Sequence, residues 1–243
     1  MIKNIKLVFV FIPVLVWISG CASSSGQFGP KVHNSDAFTA VVVAYAPEME
    51  GILQRIEQDP HAQIDTTKTI KGVTYRMGTY HDEPILVFAT GMSIANAAMT
   101  MQMALDYFPV EQVVYMGIAG AVNPAWQPGD VTVPARWYYH DESVYTNEDP
   151  ENPGAYILPE YYAKFLEEQS ERRAEDPHLP HYKPFHFIHP DEVLIIKDGM
   201  SKPKDTAYFS ATPRLLSAAK SAMATMPVQR VLDERDAKLH VGG

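Results

Sequence analysis

Residues 39–50 read Thr-Ala-Val-Val-Val-Ala-Tyr-Ala-Pro-Glu-Met-Glu, an apolar run of strand length that breaks at Pro47 and turns acidic. From Glu48 to Gln58 the apolar residues Met49, Ile52, Leu53 and Ile56 recur at helical spacing. A strand that is apolar at successive positions is buried on both faces, and one feeding directly into an amphipathic helix opens an α/β domain. Pro47 suits the first helical turn, and the acids at Glu48 and Glu50 suit its positive end.

Working outward, residues 72–80 and 84–89 have strand character, with His81-Asp82-Glu83 as the turn between them. Thr90-Gly91-Met92-Ser93 leads into residues 94–108, rich in Ala and Met and apolar nearly all round. A helix of that composition is expected to be deeply buried. Pro109 closes it; residues 112–116 are expected to form another buried strand, ending in Gly117-Ile118-Ala119-Gly120. A Pro-Gly turn at 128–129 precedes a short strand over 130–134. The order β-α-β-β-α-β-β predicts a mixed or mostly parallel sheet covered by helices. Sites on such sheets lie at the C-terminal ends of the strands, which singles out the loops 46–50, 90–93 and 117–120.

After Asp141 the character changes. Residues 141–212 are rich in Pro, Tyr, His and charge, with one helical patch over 160–172, and read as a long insertion or lid. Helical spacing returns over 213–226, and 228–241 is a weak strand-like finish. No internal repeat is apparent.

The first twenty residues have the form of a signal segment: Lys3 and Lys6, then an apolar run from Leu7 to Ile18. That run is too short to span a bilayer, which takes ~20 apolar residues. It ends in Ile18-Ser19-Gly20-Cys21, small residues before the only cysteine, and so resembles the lipobox of bacterial lipoproteins. The resemblance implies a lipid on Cys21 and a place in the cell envelope, in the outer membrane or periplasm of a Gram-negative source. A secretory signal with a chance cysteine is the alternative. Residues 21–37 are small and polar, as a flexible tether is expected to be. With one cysteine there is no disulfide within the chain and no thiolate metal site.

Removing residues 1–20 takes away two lysines and no acid, which moves the formal charge from −9 to −11. Such an acidic domain is a poor candidate for nucleic-acid backbones, which demand clustered Lys and Arg, and no nucleic-acid partner is expected. Residues 38–243, roughly 200 in all, suffice for one substantial core.

Glu50 is the acid that stands out, one turn into a helix beyond a buried strand. A carboxylate there can hold and deprotonate a water. Position alone favours the plainer reading, complementation of the helix dipole, which Glu48 serves equally. Gly117 and Gly120 permit close backbone approach but make no dinucleotide fingerprint, since the third glycine and the following acid are absent. His178, His181, His186 and His189, with Asp191, invite a metal, but prolines separate them and their spacing matches no helical ligand pair. They are expected to decorate a solvated loop, and neither metal nor cofactor is expected.

Three segments in order, VVVAYAPEME over 41–50, TGMSIANAA over 90–98 and VYMGIAGAVNPAWQPGDVTV over 114–133, resemble the purine nucleoside phosphorylase superfamily. The nearest likeness is to its methylthioadenosine/S-adenosylhomocysteine nucleosidases, and Tyr139-His140-Asp141 extends it. The likeness is good over 39–141 and poor beyond. It implies a three-layer α/β/α sandwich around a mixed sheet, and cleavage of the bond between ribose and purine. It places the water-positioning glutamate on Glu50 and substrate-binding loops on Ala46, Pro47 and Ser93. Ile118, Ala119 and Gly120 fall beneath the substrate. It also implies a homo-oligomer, for which the helix over 94–108 and Trp137-Tyr138-Tyr139 are interface material.

Phosphorylases use phosphate as nucleophile and nucleosidases use water. A phosphate site needs cations, and Ala46-Pro47-Glu48-Met49-Glu50 supplies none, so hydrolysis is the expected reaction. A phosphorylase and a non-catalytic nucleoside-binding surface lipoprotein are the competing readings.

The sequence departs from the family pattern at Ser93, where a glycine is common, and at Ile118, where Ser or Thr is common. The family's later Met-Glu pair and the Ser-Asp whose aspartate protonates the leaving purine have no counterpart after residue 141. The sequence is therefore expected to be a fragment lacking the last part of the domain, and inactive by itself. Loss of a general acid costs ~10²–10⁴-fold in rate.

Overall fold

The computed structural model describes residues 37–168, 170–179, 186–225 and 239–241. The signal segment, Cys21, the tether up to Asp36 and His181 lie outside the described residues. The chain falls into two compact units, divided between Ala119 and Gly120.

The first unit is built on a five-stranded sheet. Its elements are β1 (Phe38–Val43), α1 (Ala46–Gln58), β2 (Ala62–Ile70), β3 (Val73–Tyr80), β4 (Glu83–Ala89), α2 (Ile94–Tyr107) and β5 (Val110–Tyr115). The strand order is β2-β3-β4-β1-β5. β5 is therefore an edge strand, and Val113 and Val114 are 37% and Tyr115 43% exposed, so the strand expected to be buried over 112–116 is not buried there. β4, β1 and β5 run parallel, whereas β2–β3 and β3–β4 are antiparallel, so the sheet is mixed. Two-residue turns with positive φ, Lys71-Gly72 and His81-Asp82, join the antiparallel strands, the hairpin geometry that matches strand twist.

The period-two alternation of the strands sorts the core into two layers. Ala40, Val42, Leu86 and Phe88 pack with Tyr75 against Ala104 and Phe108 on the α2 side. Val41, Val43, Ile85 and Val87 face Met49, Ile52, Leu53 and Ile56 of α1. One helix therefore covers each face, giving the α/β/α layering expected from the sequence.

β2 is an element that the sequence reading did not contain. Six of its nine side chains are exposed, and Thr66, Thr67, Lys68 and Thr69 carry no apolar signal. It is an edge strand, defined by its ladder to β3. α2 corrects a second expectation. It is not deeply buried: Thr100 and Ala104 are its buried residues, and Met99 is 68% exposed. A helix lying on a sheet buries one stripe, and the apolar residues on its other sides, Ile94 and Leu105 among them, face solvent.

The second unit consists of short ladders and helices. β6 (Val131–Val133) pairs in parallel with β15 (Leu239–Val241). β7 (Arg136–Trp137) pairs with β14 (Phe209–Ser210), and β8 (Ser143–Tyr145) with β11 (Ile188–Pro190). β9 (Asn147–Glu148) pairs with β10 (Tyr156–Ile157), and β12 (Val193–Ile195) with β13 (Lys204–Thr206). The helices are α3 (Glu160–Glu168), α4 (Ser170–Glu175) and α5 (Pro213–Met223). Val144, Tyr162 and Leu166 form its core, with Leu158 and Phe165 packed against them. Among the described residues no helix is long and apolar enough to cross a membrane.

Candidate active site

β1 and β4 are parallel neighbours, but the helices that follow them, α1 and α2, lie on opposite faces of the sheet. The chain thus diverges at the C-terminal ends of these strands, the place where binding crevices form on sheets of this kind. The loops after β1, β4 and β5 converge on this point.

Glu48 ties the first and third of these loops together. Its Oε2 accepts from the backbone N–H of Ala44 at 2.9 Å and of Tyr45 at 3.3 Å. Its Oε1 accepts from the N–H of Ile118 at 3.1 Å. The first two bonds use amides at the N-terminus of α1 that have no partner within the helix. The third crosses to the segment after β5. Gly117 fits beside this carboxylate because it has no side chain: a Cβ there would stand 3.0 Å from Glu48 Oε1.

Thr90 ties the second loop to both neighbours. It is buried, and its N–H donates to Val43 O at 2.9 Å. Its Oγ1 lies 2.9 Å from Gly91 O and 3.3 Å from Val43 O, either of which accepts its proton. Tyr115 OH is 2.9 Å from the same oxygen. Thr100 of α2 donates to Thr90 O at 3.1 Å, which fixes the helix to the loop it follows. Ser93 caps α2, accepting weakly from Asn96 N–H at 3.4 Å, and does so at φ +94°, a left-handed conformation that favours glycine.

The residues singled out from sequence fall as follows. Ala46 and Pro47 are exposed in the first turn of α1, and Glu50 is exposed in the second. Ser93 is exposed at the start of α2, and Ile118 and Ala119 are exposed beyond β5. Gly120 opens the second unit and is also exposed. Glu48 and Glu50 are two residues apart, about 200° around a helix, and so do not share a face. Glu48 is the carboxylate at the β5 exit, and the oxygens of Glu50 take part in none of these contacts. Sequence reasoning passed over Thr90 and Tyr115 and saw Glu48 only as a dipole partner. The available signal was a threonine directly after a buried strand and a tyrosine ending another.

The histidines of the second unit have other partners. His189 is buried, its Nε2 is 2.8 Å from His186 O, and burial pushes its imidazole below the ordinary value. The His178 ring meets Tyr208 edge-on. Tyr208 donates its hydroxyl to Asp176, which holds that carboxyl below its usual range. Among the described residues no group of three His, Cys, Asp or Glu side chains is disposed to hold a metal.

The sequence pattern of the phosphorylase superfamily matches residues 39–242. A 5′-methylthioadenosine/S-adenosylhomocysteine nucleosidase of Bacillus pumilus is 26% identical over 110 residues, 43% of this chain and 48% of its own length. One from Marinomonas is 30% identical over 77 residues, 32% of this chain and 33% of its own length. The matched segment thus spans half or less of these relatives. A solved 5′-methylthioadenosine/S-adenosylhomocysteine nucleosidase of Helicobacter pylori aligns with 86% of this chain and 66% of its own, at a TM-score of 0.49 and 15% identity.

Proposed function

Because the chain belongs to the phosphorylase superfamily, we propose that its protein is a nucleosidase. It hydrolyses the N-glycosidic bond of purine nucleosides of the methylthioadenosine/S-adenosylhomocysteine type. The observation that carries this reading is the charge of the loops at these strand ends. The loops over 44–50, 90–93 and 116–119 contain two carboxylates and no Lys or Arg. Among the described residues of the first unit, Lys and Arg are Arg55, Lys68, Lys71 and Arg76, on α1, on β2 and β3 and in the turn between them. A phosphate nucleophile carries about two negative charges and needs cationic or multiple N–H donors. A water nucleophile needs an acceptor.

In the proposed reaction the bond from ribose C1′ to the purine nitrogen breaks, its electron pair leaves with the base, and the base takes up a proton from solvent. Positive charge grows on the ribose, and water oxygen bonds to C1′. Glu50, whose oxygens have no hydrogen-bond partner among the described residues, orients that water and takes its proton. Ala46, Pro47, Ser93, Ile118, Ala119 and Gly120 line the substrate. Glu50→Gln keeps the shape and removes the base, so kcat falls by ~10²–10⁴-fold. Release of free ribose product without phosphate supports hydrolysis. Phosphate-dependent release of a ribose 1-phosphate makes the protein a phosphorylase, and binding without turnover makes it a nucleoside-binding protein.

The location proposed with this activity is the cell envelope, through a lipid on Cys21. Incorporation of a fatty-acid probe that persists in Cys21→Ser refutes the anchor. In that location the substrates are nucleosides outside the cytoplasm, which favours broad acceptance of purine nucleosides.

A further inference from the structure

We infer that Glu48 is a positioning residue of this site, setting the placement of residues 117–119 against the substrate and hence substrate affinity. The inference rests on the nucleosidase reading above.

Glu48 belongs to the start of α1, and its Oε1 holds an amide 70 residues away in sequence, at the exit of β5. A carboxylate is the side chain suited to this place, because both of its oxygens are acceptors and N–H groups approach from both sides. Glutamine offers one acceptor oxygen, and its NH2 must then face either Ile118 N–H or the Ala44 and Tyr45 pair. Aspartate is one methylene shorter, about 1.5 Å, and cannot span both.

The glycine beside it carries the same message from the other side. Gly117 has ordinary φ, so no left-handed turn requires glycine there. What it meets is Glu48, with Oε1 3.0 Å and Oε2 3.7 Å from the place of a Cβ. Exposed Ile118 gains nothing in packing from being held; it is 84% exposed. The bond therefore fixes the path of a backbone segment that faces outward, and a displaced segment meets ground and transition state equally poorly, which raises KM and leaves kcat. Ile118, which the family resemblance sets under the substrate, is held in position by this contact.

The test uses the full-length protein with methylthioadenosine, comparing wild type, Glu48→Gln, Gly117→Ala and Glu50→Gln. Glu48→Gln is expected to raise KM about tenfold while kcat changes less than about threefold, the signature of lost binding in ground and transition states alike. Gly117→Ala, which displaces the carboxylate without removing charge, shifts KM the same way by less. Glu50→Gln loses kcat instead. Amide hydrogen exchange at Ile118 becomes faster in Glu48→Gln and in Gly117→Ala. A merely structural role lowers Tm and the active fraction but leaves KM and the Ile118 exchange of the folded molecules unchanged, and that result overturns the proposal. Should Glu48→Gln not fold, Gly117→Ala decides by the same two readouts. A wild-type protein that hydrolyses no purine nucleoside overturns the functional reading and this inference together. An active wild type with unchanged KM in the folded variants overturns this inference alone.

Discussion

The hydroxyls of Thr90 and Tyr115 stand 2.9 Å apart, linking the C-terminal ends of β4 and β5 across the strand β1 that separates them. Thr90 is buried and has carbonyls to donate to, whereas Tyr115 is 43% exposed. The two truncations are therefore unequal. Tyr115→Phe gives up one bond to a group that water reaches, and is expected to cost about 0.5–1 kcal/mol. Thr90→Val gives up that bond and also the one to Gly91 O, while Val43 O keeps the Thr90 N–H, and is expected to cost about 1–3 kcal/mol. Both remove the same contact, so the double variant costs less than the two added together. Urea midpoints of the four proteins check this, and strict additivity shows that the hydroxyls do not couple.

Ser93 occupies φ +94° with a Cβ present, while its hydroxyl makes only a long bond to Asn96 N–H. The strain of such a conformation is of order 1–3 kcal/mol. Exchange of a serine cap for glycine costs only a few tenths, about 0.3 kcal/mol. Ser93→Gly is thus expected to raise Tm, and Ser93→Ala, which keeps the strain and loses the cap, to lower it. Thermal melts of the pair decide; a glycine variant that melts below the alanine variant contradicts the strain argument.

The fold was legible where the hydrophobic pattern coincides with burial. The apolar run over 39–43 and the spacing of Met49, Ile52, Leu53 and Ile56 marked β1 and α1, and both pack as that pattern requires. The pattern failed where burial is absent or one-sided. β2 presents polar residues because an edge strand meets solvent, so its ladder to β3 left no apolar trace. α2 is apolar on faces the sheet does not cover, and composition alone read it as deeper than it is. The site loops were legible by position, since each follows a strand. Glu48 was not, because its partner amide is 70 residues distant and a backbone N–H has no sequence signature.

Gly78 on β3 shows how closely the antiparallel hairpin is assembled. A Cβ there would lie 1.9 Å from Gln63 O and 2.9 Å from Ile64 Cα, both backbone atoms that cannot move aside alone. The register of β2 shifts between Ile64 and Thr66, just opposite, which brings its backbone over the glycine. Gly78→Ala is expected to destabilise by about 3 kcal/mol, the upper range for forcing volume into a packed position. Gly72→Ala, with open space around it, is strained only by its φ of +88° and is expected to cost about 1 kcal/mol. Chemical denaturation of the two variants measures the difference, and equal losses refute the close approach.

In the second unit, Glu192 offers a stability effect with a defined pH sign. Its side chain is 1% exposed, its Oε2 is 3.4 Å from Nη1 of the half-exposed Arg172, and its Oε1 is buried without a partner among the described residues. Burial pushes the carboxyl above its ordinary value of 4.5, and Arg172 opposes the shift without cancelling it. A raised value in the folded chain means that ionisation costs more there than in the unfolded chain. The contribution of this group to stability is then full below the ordinary value and is lost as pH rises through the folded one. Glu192→Gln cannot ionise, so it is expected to be more stable than wild type at pH 8, with the gain shrinking to nothing below about pH 4.5. Arg172→Gln leaves the buried carboxylate without its counter-charge and acts in the opposite direction, costing about 1–3 kcal/mol at pH 8 and little at pH 4. Denaturation of the three proteins from pH 4 to pH 8 tests both signs at once, because titration of His189 is common to all of them and cancels in the differences. A Glu192→Gln variant that loses stability as pH rises would show that the Arg172 pair outweighs the burial of the charge.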